Sequence, residues 1–281
     1  MQNKNIKKRL EKTAKEYEIN FRKLKYTGKI EGIAKKQEPK KLVIGSPFEV
    51  QALKNEKELP GTTFGVSWRA DYDEVAIASI YYAVSHFKNI ELHVVGDKKT
   101  KSEIINRLNN LKLLPTKIAE NSKEEAKFVS KERIRGVVLS CADSRVLDSA
   151  IFGEDNIIIN NAGNVISSTV LETVKYYLST AHIEHITVLG HSNCGAVNAA
   201  CFLTDDKNLL PIIFKIKTGI VQPIKNIDEI RESHYIENAK NTLKELIQFL
   251  QSETIKKISF YVGYHDLNTG TTTFPFGIES I

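Results

Sequence analysis

Two short polar clusters, each closing an apolar run, constrain this chain more than any other feature. Gly136-Val137-Val138-Leu139 leads into Ser140-Cys141-Ala142-Asp143-Ser144-Arg145-Val146. Fifty residues on, His185-Ile186-Thr187-Val188-Leu189 leads into Gly190-His191-Ser192-Asn193-Cys194-Gly195-Ala196. Apolar runs of this length, ended by small or polar residues, read as buried parallel strands. The carboxyl ends of neighbouring parallel strands are where open α/β sheets place their sites. Cys141, His191 and Cys194 together offer two thiolates and one imidazole. That is a three-ligand set for Zn²⁺ with a fourth tetrahedral position left for water or substrate.

The composition suits a soluble globular protein, and 281 residues suffice for one large core or two moderate ones. No apolar stretch approaches the roughly 20 residues of a membrane helix, and Met1–Lys15 has no apolar centre of a secretory signal. The expected address is the cytoplasm. Three cysteines make no even disulfide framework, and two belong to the metal set. The third, Cys201, reads as a small buried residue.

The net charge of +6 is concentrated at the start: residues 1–41 hold fourteen Lys/Arg against five Glu. The same stretch carries Ile6, Leu10, Ala14, Tyr17, Phe21 and Leu24 at helical spacing. An amphipathic helical arm docked on the protein, its lysines in water, accounts for both facts. Neither nucleic acid nor membrane is an expected partner.

The order of strands and helices runs twice. Leu42–Val50 parallels Val138–Val146, Glu74–Tyr82 parallels Thr169–Tyr177, and Ile90–Gly96 parallels His185–Gly190, at offsets of 94 to 96. Crossover helices are expected over Asp73–Phe87 and Ser168–Ala181, a short helix from Ser122 toward Phe128, and a longer one over Tyr235–Gln251. Ile258–Val262 is expected as the last strand. The fold class is therefore α/β, each half built on a mainly parallel sheet flanked by helices. Residues 1–115 form the arm and the first half, and residues 116–281 the second. The first half lacks the chemistry: Gly45 or Ser46 stands at the Cys141 position, and Asp97 and Thr100 at those of His191 and Cys194. It is not expected to bind zinc.

The order CxDSR then HxxC, each after a strand, resembles the β-class carbonic anhydrases. The resemblance runs from Asn121 to Gly277 and includes Asn161-Ala162-Gly163-Asn164 and the stretch Phe260–Gly270. It departs at Asn160, where the family usually carries arginine. The resemblance implies one zinc per chain on Cys141, His191 and Cys194. It also implies an active site at a dimer interface, here a pseudo-dimer in which the degenerate first half is a built-in partner. A larger homo-oligomer of such chains is compatible with that. Gly195 with Gln37, Phe64 and Trp68 are then the pocket candidates.

The implied reaction is the reversible hydration of carbon dioxide to bicarbonate, with zinc hydroxide as nucleophile. Asp143 orients it, and Arg145 holds Asp143 through a bidentate fork. Two alternatives stay open on sequence. One is a hydrolase of CO₂-like molecules such as carbon disulfide or carbonyl sulfide, and the other a zinc- or bicarbonate-binding protein that has lost catalysis.

Overall fold

The computed structural model describes residues 39–54, 62–68, 72–119, 133–202, 204–216, 224–250 and 258–277. The expected N-terminal arm, Gln37 and the short helix from Ser122 lie outside them. Among the described residues the strands form two sheets. The first has the order β2-β1-β3-β4, all parallel, from β1 (Lys41–Gly45), β2 (Thr63–Ser67), β3 (Glu91–Val94) and β4 (Lys117–Ile118). The second has the order β6-β5-β7-β8-β9, from β5 (Gly136–Cys141), β6 (Asn156–Asn161), β7 (His185–His191), β8 (Ser259–Asp266) and β9 (Thr271–Gly277). Only β9 runs antiparallel. In both sheets the first strand of the half lies between the second and the third.

Eight α-helices connect the described strands: α1 (Pro47–Lys54), α2 (Glu74–His86), α3 (Lys98–Asn110), α4 (Asp148–Phe152), α5 (Ser168–Thr180), α6 (Gly195–Cys201), α7 (Leu210–Ile213) and α8 (Glu232–Phe249). Helices α2 and α5 fill the two expected crossovers, and α8 begins three residues before the expected Tyr235. The expected boundary at 115/116 falls just before β4, which still pairs with β3. None of the described helices is long and apolar enough to cross a membrane.

Local sequence starts two helices of the first half. Ser46 and Glu49 form a capping box at α1: the Glu49 carboxylate accepts from the Ser46 N–H at 2.9 Å and the Ser46 hydroxyl from the Glu49 N–H at 3.5 Å. Asp97 caps α3 by accepting the Thr100 N–H at 2.7 Å. Ser46 and Asp97 thus start helices in the first half. Leu42, Ile44, Phe64, Val66, Ile80 and Leu92 pack this half. In the second half, Val137, Leu139, Ile157, Ile159, Ile186, Val188 and Phe260 pack against Val170 and Val174 of α5 and Leu243 and Leu246 of α8.

The halves meet along the free edge of β6, whose backbone groups would otherwise be unpaired. The Gln51 side chain donates to the Asn156 carbonyl at 2.9 Å and accepts the Ile158 N–H at 3.2 Å. Ser67 accepts the Asn160 N–H at 2.9 Å, and Ser79 the Ala162 N–H at 3.0 Å. Asp73 caps two helices at once, taking the Val75 and Ala76 N–H groups of α2 and the Thr169 N–H of α5. Each partner is a first-half side chain that meets a second-half backbone group.

Candidate metal centre

Cys141 is the last residue of β5 and His191 the last of β7, and these neighbouring strands bring them side by side. Cys194 stands at the N-cap of α6, reached from β7 through Asn193, whose φ of 55° makes the turn. Asparagine tolerates that left-handed geometry better than most residues. All three ligand residues are buried, and their ligand atoms lie within 4.8 Å of one another.

The geometry fits zinc. Two Zn–S bonds of about 2.3 Å at a tetrahedral angle put the sulfurs roughly 3.8 Å apart. Cys141 Sγ and Cys194 Sγ are 3.8 Å apart. His191 Nδ1 donates to the Ser192 carbonyl at 2.8 Å, which leaves Nε2 unprotonated, and Nε2 is buried without a hydrogen-bond partner. An orphaned imidazole nitrogen beside two thiols is what a metal ligand looks like when the metal is left out of account. Ser192 is itself fixed: its hydroxyl donates to Asp266 at 3.1 Å and accepts the Leu267 N–H at 2.8 Å.

Charge is arranged to favour a thiolate. The hydrogen bond between the two sulfurs holds Cys141 well below the ordinary thiol range and pushes Cys194 well above it, so the pair keeps one proton. Burial works against a charged His191, but the Cys141 thiolate and Asp143 outweigh it and raise its pKa. On the next strand, burial and then the neighbouring His191 charge bring His265 down to about 4.

Asp143 and Arg145 are joined by a bidentate fork. Asp143 Oδ1 accepts from Arg145 N and Nε, both at 2.9 Å, and Oδ2 accepts from Arg145 Nη2 at 2.6 Å. The same Nη2 donates to the Asn193 carbonyl at 3.1 Å, tying the first cluster to the second. Burial alone would raise the Asp143 pKa, but the Arg145 hydrogen bonds and charge, with His191, bring it down to about 2.

Beside Cys141 lies a cavity of about 390 Å³, with Cys141, Asp143, Arg145 and Gly195 in its lining. Pro39, Phe64, Tyr82 and Phe87 complete it from the first half. Phe64, a pocket candidate from sequence, is among the residues lining this cavity. Trp68 is not in this lining: it is buried in the first-half core, with Arg107 stacked 5.8 Å from its ring. Gln37 lies outside the described residues. Tyr82 and Phe87, on and beside α2, also line it and were not among the candidates read from sequence. A Cβ on Gly195 would lie 2.5 Å from the Tyr82 hydroxyl, so the glycine makes room for a first-half side chain. Cys201 is fully buried in the apolar cluster beside the site.

Residues 136–271, which span both ligand clusters, match the carbonic anhydrase family. This segment of the chain is of the β-carbonic anhydrase type. Carbonic anhydrase 2 of Mycobacterium tuberculosis is 35% identical over 98 residues, covering 34% of this chain and 47% of that one. The chain thus spans about half the length of this relative. The carbonic anhydrase of Helicobacter pylori strain J99 is 25% identical over 192 residues, covering 57% of this chain and 86% of its own. Among solved structures, the β-carbonic anhydrase CcaA is 22% identical with a TM-score of 0.43, covering 51% of this chain and 80% of that one. Within the family frame, the departure at Asn160 has a local counterpart. Asn160 shares its acceptors with the buried ammonium of Lys54.

Proposed function

We propose that this protein catalyses the reversible hydration of carbon dioxide to bicarbonate, with one zinc ion on Cys141, His191 and Cys194. The observation that carries this reading is the 3.8 Å sulfur pair with the orphaned His191 Nε2, next to a cavity whose lining includes Cys141, Asp143 and Arg145. When bound, the ion supplies Lewis acidity toward water.

The protein's own residues do the rest. Asp143 stays ionised through the neutral range and accepts a hydrogen bond from the attacking water, orienting it. Arg145 occupies both carboxylate oxygens from one side, which keeps Asp143 from turning toward the thiolates and closing the fourth position. Phe64, Tyr82 and Phe87 give the cavity an apolar wall suited to a small uncharged substrate. Arg145, half-buried at its edge, offers a cation to the anionic product.

In this reading the first half is a degenerate tandem repeat acting as a built-in partner. The shared strand order and the four lining residues it contributes support that. Stopped-flow CO₂ hydration by zinc-loaded protein near pH 8.5 tests the proposal. Turnover well above buffer, abolished in Cys194→Ser, is the expected result. Absence of turnover in protein holding one zinc per chain overturns it, and points to a binding protein or to another substrate.

A further inference from the structure

A buried ammonium binds the backbone of the first metal ligand and lies outside the cavity lining. Lys54 ends α1 of the first half and is 4% exposed. Its Nζ donates to the Cys141 carbonyl at 3.0 Å and to Asp148 Oδ2 at 2.8 Å. Asn160 Nδ2, from β6, donates to the same two atoms at 3.1 and 3.0 Å. Two donors, one from each half, converge on one backbone carbonyl and one carboxylate oxygen.

A buried ion pair is a weak stabiliser, since desolvating both charges offsets most of their attraction. Two apolar side chains would hold the seam as well. What they would not do is bind the Cys141 carbonyl. That carbonyl sits at the last residue of β5, where the ladder to β6 ends. The next one, of Ala142, is also taken by the first half, through the Gly65 N–H at 3.2 Å. The chain is thus held at the point where Cys141 must aim its sulfur at Cys194 and His191.

We propose that Lys54 is a positioning residue of the metal centre: its ammonium clamps the Cys141 carbonyl, so the first half sets how tightly the second half holds zinc. This rests on the zinc reading given above. Contacts one layer out from a metal ligand commonly change metal affinity by about 10–100-fold, and an effect of that size is expected here.

The test uses the full chain and reads zinc rather than turnover. Zinc affinity is measured by competition with a chromophoric chelator, and ligand geometry by the thiolate-to-metal absorption of the cobalt-substituted protein. Three variants are compared. K54M/D148N removes both charges together and so avoids leaving a buried carboxylate unpaired. K54R keeps a cation at the position. Q51A cuts the seam elsewhere, at Asn156 and Ile158.

K54M/D148N is expected to bind zinc about 10–100-fold more weakly with a shifted cobalt spectrum. K54R should regain most of the affinity, and Q51A should lower the melting temperature while leaving affinity and spectrum alone. Wild-type affinity and spectrum in K54M/D148N overturn the proposal. So does a loss in Q51A as large as in the double variant, since Lys54 would then be only a seam residue. Should the double variant fold only with zinc present, its zinc release rate decides, and a wild-type rate again overturns the proposal. Wild-type protein that binds zinc but hydrates no CO₂ sinks the enzymatic reading and leaves this one standing.

Discussion

The Tyr82 hydroxyl, on a first-half helix, lies directly over Gly195, the first residue of the helix that follows Cys194. Burial, followed by the negative charge shared by the nearby cysteine pair and Asp143, pushes the Tyr82 pKa up to about 12, so the phenol stays protonated where the protein works. Its ring stacks on His86 at 4.2 Å and packs near Phe64 and Phe87, which fixes the hydroxyl against the glycine.

Gly195→Ala should therefore damage the site through a residue from the other half. The new methyl would need Tyr82 or α6 to move, and overpacking of this kind costs about 1–3 kcal/mol. Expressed at the transition state, that is a loss of about tenfold or more in kcat/KM. Removing the hydroxyl relieves the clash, so the same substitution in a Tyr82→Phe background should lose less. Stopped-flow hydration across the four-member cycle checks this. Equal losses in both backgrounds would mean the hydroxyl is not the obstacle.

Arg145→Lys should lower kcat by about a hundredfold, the scale of a misplaced catalytic group. Lysine keeps the charge but cannot offer the Nε and Nη2 pair that grips both Asp143 oxygens. Zinc content measured alongside should stay at one per chain, because Arg145 touches no ligand side chain. Wild-type turnover in this variant would remove the fork from the mechanism.

Acid should weaken the fold through His185. Its Nε2 donates to Asn156 Oδ1 at 2.8 Å in a buried site, and burial lowers its pKa below the ordinary 6.5. Below pH 6.5 the unfolded chain therefore binds the proton more readily than the folded one. The His185 contribution is complete above about pH 6.5 and is lost progressively as pH falls toward the folded-state value. Urea midpoints at pH 7.5 and pH 5 should show a smaller drop for His185→Gln than for wild type. An identical drop would place the acid sensitivity elsewhere.

Stripping the metal should expose the sulfur pair to oxidation. Cys141 carries thiolate character and faces Cys194 at 3.8 Å, so a mild thiol oxidant such as diamide can close a disulfide by drawing the sulfurs together. Intact mass should fall by two hydrogens in chelator-treated protein, while zinc-loaded protein stays reduced. Cys201, buried on α6, should stay unmodified in both.

Much of this arrangement is legible in the order of residues alone. Strands β1, β3, β5, β7 and β8 announce themselves as apolar runs, and the crossover helices as periodic faces. The ligands follow because strand ends carry them. Strand β9 is harder to see: Thr271–Gly277 mixes threonines with Pro275, the composition of an edge strand. Helix α1 hides because its residues align with the loop after Cys141, though Ser46 and Glu49 give a capping signal that finds it. Helix α3 is mostly polar, and only Ile104 and Leu108 are buried. Tyr82 and Lys54 carry no local mark. Which side of a helix faces a partner, and which lysine among the chain's many is dry, are set only when the two sheets meet.

The cover over β6 also has an order in time. Chains fold as they are made, N-terminal parts first. Gln51, Ser67 and Ser79 have left the ribosome long before Asn156–Asn161 does. The exposed strand edge, the part of a nascent sheet most apt to pair with a stranger, thus emerges onto a surface already built to receive it.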